Sequence, residues 1–193
     1  MQNYQNKLSS FDLLVRALER LPSIGKKSAR KMAYAMAVEE TQLGMQILEA
    51  LRGCMQELKK CSLCGGLSQG NICHICTDSS RNTGLLCIVS HPKDVFLIEE
   101  LGEFSGRYCV IEDHREYDFE SLIGRVAREG IGDIIFALSP STQNDLAMLS
   151  IQDRLGGLGL SFSRIAQGVP SNVSLDNIDH FSLARAFSAR VSL

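Results

Sequence analysis

Four cysteines within sixteen residues constrain this chain more than any other feature: Cys61-x2-Cys64-x8-Cys73-x2-Cys76. Each C-x2-C turn presents two thiolates to one ion, and a short intervening loop brings the second turn round to complete a tetrahedron. Gly65, Gly66 and Gly70 supply the loose backbone such turns need. With cysteine at all four positions, no coordination site stays open for a substrate or an activated water. The spacing therefore predicts a structural site for one zinc ion per chain, with an iron–sulfur cluster as the alternative metal. Two redox C-x2-C pairs are the other reading, but the stretch lacks the helix start on which such pairs sit. His74 lies between Cys73 and Cys76 and is expected to be a loop residue rather than a ligand. The remaining cysteines, Cys54, Cys87 and Cys109, are scattered, the last two inside apolar runs where a small buried thiol is expected.

The cluster divides the chain into two grammars. Before it, residues 10–58 read as helices. Phe11, Leu14, Val15 and Leu18 recur on one helical face, and Leu21-Pro22-Ser23-Ile24-Gly25 interrupts the pattern. A second helix carries Ala29, Met32, Ala33 and Met36 on one stripe. A third, over residues 41–59, is expected to turn Leu43, Ile47, Leu51, Met55 and Leu58 inward. After the cluster, apolar runs at 85–89, 108–111, 134–138 and 160–166 alternate with helical segments at 92–101, 118–129 and 143–155. That alternation predicts a parallel sheet with crossover helices. A short amphipathic helix at 180–190 ends the chain. Its Phe181, Leu183, Ala184 and Phe187 are expected to pack against a neighbouring subunit, with its own sheet as the alternative.

Charge is divided in the same way. The formal net charge is −2, yet residues 1–60 carry ten Lys/Arg against six Asp/Glu, and residues 61–193 carry ten against sixteen. A phosphate backbone would meet the first segment and be repelled by the second. Within the first segment, Lys26, Lys27, Arg30 and Lys31 follow the turn at Gly25, where a helix start aims free N–H groups and a partial positive charge outward. Gly25 lets the backbone approach a ligand, and Lys27 and Lys31, four apart, share a face. These five residues are the candidate DNA-backbone contacts, indifferent to base sequence. A solvated basic face is the alternative. The turn resembles the helix-hairpin-helix pattern L-P-x-x-G-x-K-x-A. No stretch approaches the roughly 18 apolar residues of a membrane span. The opening MQNYQNKLSS lacks an apolar signal region, which predicts a cytoplasmic protein.

Taken together, L-P-S-I-G-K-K-S-A-R-K-M-A at 21–33, the cysteine set, E-x-x-G-x-F-S-G-R-Y from Glu99 to Tyr108, and S-R-I-A-x-G-V-P at 163–170 resemble the bacterial recombination mediator RecR family. The resemblance spans nearly the whole chain. It implies an α/β multi-module protein: a helix-hairpin-helix over 1–58, a four-cysteine zinc finger over 59–80, a Toprim-like parallel α/β domain over 81–168 and a C-terminal oligomerisation segment over 169–193. It further implies a homodimer or ring tetramer that clamps DNA, associated with the nucleoid. Such a clamp works with RecO and, in many bacteria, RecF to load RecA at single-strand gaps. By the family pattern Lys27 and Lys31 bind DNA.

Departures from the pattern fall at Ser23, where the family has a turn glycine, at Ser90, where the first Toprim strand ends in an acid, and over residues 139–145, where only Asp145 is acidic. A loop usual near Asp113 is absent. Catalytic Toprim domains hold magnesium with a Glu and paired Asp residues, so no enzyme activity is expected. A Toprim-type magnesium-dependent nuclease and a protein–protein adaptor are the alternatives. Nucleotide hydrolysis is not expected either, because Gly156-Gly157-Leu158-Gly159 lacks the phosphate-loop lysine.

Overall fold

The computed structural model describes residues 8–139, 141–165, 174–178, 182–184, 188 and 191–192. The chain divides into two compact units, Met1–Glu57 and Leu58–Leu193.

In the first unit, α1 (Ser9–Glu19) and α2 (Lys26–Tyr34) form a helical hairpin. Val15, Ala29 and Ala33 are its buried core, packed by Phe11, Leu14, Leu18 and Ile24. The small Ala29 and Ala33 side chains allow the two helices to approach closely. Of the expected α2 stripe, Met32 is instead 44% exposed. Beyond Tyr34 the helix widens into a π turn, Ala35–Glu39, closed by Glu40 N–H donating to Ala35 O at 2.7 Å. The wider turn carries the later positions off the α-helical stripe. Helix α3 (Thr41–Glu57) has no buried residue, and the expectation that its apolar stripe faces inward is corrected: Leu43, Ile47, Leu51, Met55 and Leu58 are all exposed. Periodicity detects an apolar stripe but says nothing of what covers it, and the described residues of the unit offer α3 no core.

In the second unit, a hairpin of β1 (Lys59–Lys60) and β2 (Leu67–Ser68) and a one-turn helix α4 (His74–Thr77) carry the cysteines. A sheet follows, built of β3 (Leu85–Val89), β4 (Arg107–Val110), β5 (Asp133–Ala137), β6 (Ser161–Arg164) and β7 (Val191–Ser192), in the order β4-β3-β5-β6-β7. The first four strands are parallel, as the alternating pattern predicts. β7 pairs antiparallel with β6, an addition too short to carry a period-two signal. Helices α5 (Pro92–Leu101), α6 (Phe119–Glu129) and α7 (Thr142–Leu155) connect the strands.

Because strand side chains alternate, each strand feeds two cores. Leu86, Ile88, Cys109, Ile134 and Phe136 meet Leu122 and Val126 of α6 and Ile151 and Leu155 of α7. Cys87, Val89, Tyr108, Val110 and Ile135 meet Val95 and Ile98 of α5, and the four clustered cysteines belong to this same core. The zinc finger is thus part of one hydrophobic layer of the α/β unit. Leu183, only 2% exposed, packs into that layer, which corrects its expected place against a neighbouring subunit. Phe181 and Phe187 lie outside the described residues.

Candidate metal centre and nucleic-acid interface

The cysteine cluster is assembled by short backbone bonds. Cys61 N–H donates to Gly66 O at 2.7 Å, Gly65 N–H to Cys61 O at 2.9 Å and Ser62 N–H to Asn71 O at 2.9 Å, folding the first knuckle tightly. Gly65 has φ of +74°, and a Cβ there would stand 3.2 Å from Val110 Cβ. Only glycine lets this knuckle lie flat against β4. In the second knuckle Cys76 N–H and Thr77 N–H both donate to Cys73 O at 3.1 Å, which winds α4. His74 is exposed as the first residue of α4 rather than in a loop, and as expected it is not among the clustered ligand atoms.

All four cysteines are buried, and their Sγ atoms lie within 4.8 Å of one another. Cys64 and Cys73 Sγ are 3.6 Å apart. A tetrahedral ion with Zn–S bonds of about 2.3 Å would set its sulfurs about 3.8 Å apart, so the arrangement fits zinc. Backbone N–H groups already point at the sulfurs, Gly66 N–H at Cys64 Sγ and Cys73 N–H at Cys61 Sγ, each 3.3 Å. The neighbouring Cys76 thiol brings the Cys64 thiol down to about 5. Burial pushes Cys73 up to about 11, and the hydrogen bond with Cys64 pushes Cys76 up as well. One thiolate thus forms at its neighbours' expense, and full deprotonation of the set needs a bound cation. When bound, zinc supplies that charge and a closed structural cross-link, with no open position for catalysis.

Sequence reasoning missed Arg125, which lies on the buried face of α6 at 3% side-chain exposure. Its Nη1 donates to Tyr108 O at 2.8 Å and Leu63 O at 3.1 Å, its Nη2 stands 3.9 Å from Cys76 Sγ, and its Nε donates to Glu129 Oε1 at 2.9 Å. A signal was present: Leu122, Arg125, Val126 and Glu129 share one helical stripe, putting two charges where core residues belong. Glu129 also pairs with Arg107 at 3.1 Å. Burial alone would raise the Glu129 pKa, but the two guanidiniums outweigh it and hold the carboxyl below its usual range.

The basic residues of the first unit gather as the spacing predicts. Ile24 N–H donates to Leu21 O at 3.3 Å across Pro22 and Ser23, and Ser23 has φ of +62°. Pro second and a left-handed residue third make a type II turn, which explains why glycine suits this third position. Gly25 is extended at the N-cap of α2, no side chain caps the helix, and its first turn holds no acid. Lys26, Lys27, Arg30 and Lys31 are all exposed, and none forms an ion pair among the described residues. They line an open groove of about 1640 Å³ together with Phe11 and Tyr34.

At the carboxyl ends of the parallel strands the carboxylates are engaged or isolated. Glu112 pairs with Lys60, Asp113 is gripped by Arg115 at 2.6 and 2.9 Å, and Asp145 stands exposed in the first turn of α7. The crevice beneath, about 20 Å³ and lined by Ile88, Ile111, Glu112, His114 and Leu138, is no larger than a water site. Among the described residues the four cysteines are the only group of three or more ligands that comes together. No helix of the described residues is long and apolar enough to cross a membrane.

The hairpin, the closed four-cysteine centre and the parallel α/β sheet define a helix-hairpin-helix, zinc-finger protein with a Toprim-like domain. Comparison with known proteins agrees for the first two parts by family model and over the whole length by relatives. Residues 11–55 match the family model described as RecR, helix-hairpin-helix, and residues 58–78 match the model of the RecR four-cysteine zinc finger domain. The chain is 47% identical over 191 residues to the recombination protein RecR of Helicobacter pylori (strain Shi470), covering 99% of each chain. It is 41% identical to the recombination protein RecR of a Nitratiruptor species, over 98% of this chain and 100% of the relative. With that of Campylobacter jejuni subsp. jejuni the identity is 38%, over 96% and 98%. The chain belongs to the RecR family of recombination proteins, and its zinc finger is the family's four-cysteine finger.

Proposed function

We propose that this chain is a non-catalytic DNA clamp of recombinational repair that holds the phosphate backbone through Gly25, Lys26, Lys27, Arg30 and Lys31. The observation that carries the reading is the set of four exposed cations, without carboxylate partners among the described residues, at the uncapped start of α2. Phosphate oxygens would accept from the first-turn N–H groups and pair with the cations, and no side chain there reads bases. Cys61, Cys64, Cys73 and Cys76 hold the zinc that orders the second unit. In this reading the protein acts in the cytoplasm, at the nucleoid, with RecO and RecF to load RecA at gaps, as a homodimer or ring tetramer. The engagement of Glu112 by Lys60 and of Asp113 by Arg115 supports the absence of catalysis.

The test is a fluorescence anisotropy titration of duplex DNA with the wild type and Lys27→Ala/Lys31→Ala over a salt series. Losing two phosphate contacts lowers the slope of log affinity against log salt by about 1.8. Equal slopes and affinities for both proteins would reject the hairpin grip. Absence of binding by the wild type at low salt would favour an adaptor. Magnesium-dependent nicking abolished by Asp145→Ala would favour a nuclease.

A further inference from the structure

β4 is the outer strand of the sheet, and its free edge carries backbone groups that need partners. Two are satisfied from outside the sheet. Val110 N–H donates to Cys64 O at 2.7 Å, and Tyr108 O accepts from Arg125 Nη1 at 2.8 Å. The same guanidinium reaches Leu63 O in the first knuckle and Cys76 Sγ in the second. Arg125 therefore touches both halves of the metal centre and the strand they cover.

The charge it carries suits that place. Four thiolates around a divalent ion leave a formal charge of −2, buried among apolar side chains. Arg125, which is buried, and the partly buried Glu129 and Arg107 form a chain with a net charge of +1, and Arg125 is the member turned toward the sulfurs. A buried guanidinium within reach of a thiolate spreads that negative charge and lowers the thiolate's reactivity. Its planar fork serves two carbonyls and a sulfur at once, which a lysine ammonium at the end of a flexible stem does not.

We propose that Arg125 is the positioning residue of the zinc centre, and that Arg125 and the zinc-bound knuckles together seal the outer edge of β4. Metal loss then opens the sheet at this edge first, ahead of its central strands.

The experiment uses the full-length zinc-loaded chain and its Arg125→Met and Arg125→Lys variants. Zinc transfer to a chromogenic chelator, alkylation of individual cysteines followed by mass spectrometry, and hydrogen exchange of peptides from β4 and β5 are measured on each. Removing a group of this kind weakens metal binding roughly 10–100-fold. Arg125→Met is therefore expected to release zinc that much faster, with Cys76 alkylated first. Exchange should rise over residues 107–110 while residues 133–137 stay protected. Arg125→Lys, which keeps the charge and loses the fork, should fall between the two. Zinc release equal to wild type in either variant would overturn the proposal. So would β4 and β5 losing protection together, which marks general destabilisation. Should Arg125→Met be insoluble, the Lys variant decides by the same criteria.

Discussion

Replacing Arg81 by Ala is expected to lower the stability of the α/β unit by about 3 kcal/mol, because one guanidinium there completes four bonds at once. Arg81 ends a 3-10 turn (Ser79–Arg81) just past the zinc finger. Its Nη1 donates to Glu99 Oε1 at 2.9 Å, to Phe104 O at 2.9 Å and to Gly106 O at 3.2 Å, and its Nη2 pairs with the other Glu99 oxygen. Tyr108 Oη donates to Glu99 Oε1 at 2.6 Å, and Phe104 packs edge-on to the Tyr108 ring at 5.0 Å. A Cβ at Gly106 would stand 2.6 Å from Leu85 O, so this bend lies hard against β3. The E-x-x-G-x-F-S-G-R-Y motif is therefore a structural clasp that closes on Arg81.

Each charge-assisted hydrogen bond contributes about 1.5–3 kcal/mol when shielded. The Arg81 and Glu99 side chains are 19% and 25% exposed, so water takes over part of the loss. The result sits near the lower end of the roughly 3–5 kcal/mol expected for breaking a buried pair. For a unit of this size that lowers the thermal midpoint by roughly 10 °C. Circular dichroism melts and urea titrations of wild type, Arg81→Ala, Tyr108→Phe and the double variant measure the loss and the coupling between the two residues. Arg115→Ala is the control. Its pair with Asp113 has bonds as short, but Arg115 is 73% exposed, and its midpoint should not move. A loss at Arg81 below about 1 kcal/mol, the range of a surface ion pair, would refute the clasp.

Two further predictions concern the turn and acid stability. A residue other than glycine held at the φ of Ser23 costs about 1–2 kcal/mol, and glycine's greater freedom when unfolded returns about 0.5–1 kcal/mol of any gain. Ser23→Gly should therefore stabilise the hairpin by ~0.5–1 kcal/mol, seen as slower exchange of the Ala29 amide that donates to Gly25 O. Faster exchange would contradict the strain. Glu129 titrates below its usual value when folded. A depressed carboxyl stabilises the fold above the unfolded pKa of about 4.3, and this contribution disappears as pH falls through the lower folded value. Acid unfolding of Glu129→Gln should show a flatter limb over that window, whereas identical limbs would mean that the Arg107 and Arg125 contacts contribute nothing.

The sequence alone determined what is local or periodic. Cysteine spacing specifies a closed four-thiolate centre because two-residue knuckles leave few other ways to place four sulfurs round one ion. The 85–155 stretch reads as parallel β/α because strand and helix periods differ. Pro22 and the lysines after Gly25 mark a basic hairpin because turn and helix start lie within one short segment. Tertiary structure decided what joins distant positions. Arg125 meets Leu63 and Cys76 across gaps of 62 and 49 residues, and Arg81 meets Gly106 across 25, distances over which no periodicity carries information. The short β7 was invisible for a related reason: its partner β6, rather than any pattern of its own, makes it a strand. The apolar stripe of α3 was legible, but its exposure was not, since burial depends on what a neighbouring surface supplies. The sequence thus shows which cysteines are spaced as metal ligands and which cations follow a helix start, and the fold shows which buried charge meets both the cysteine cluster and the sheet.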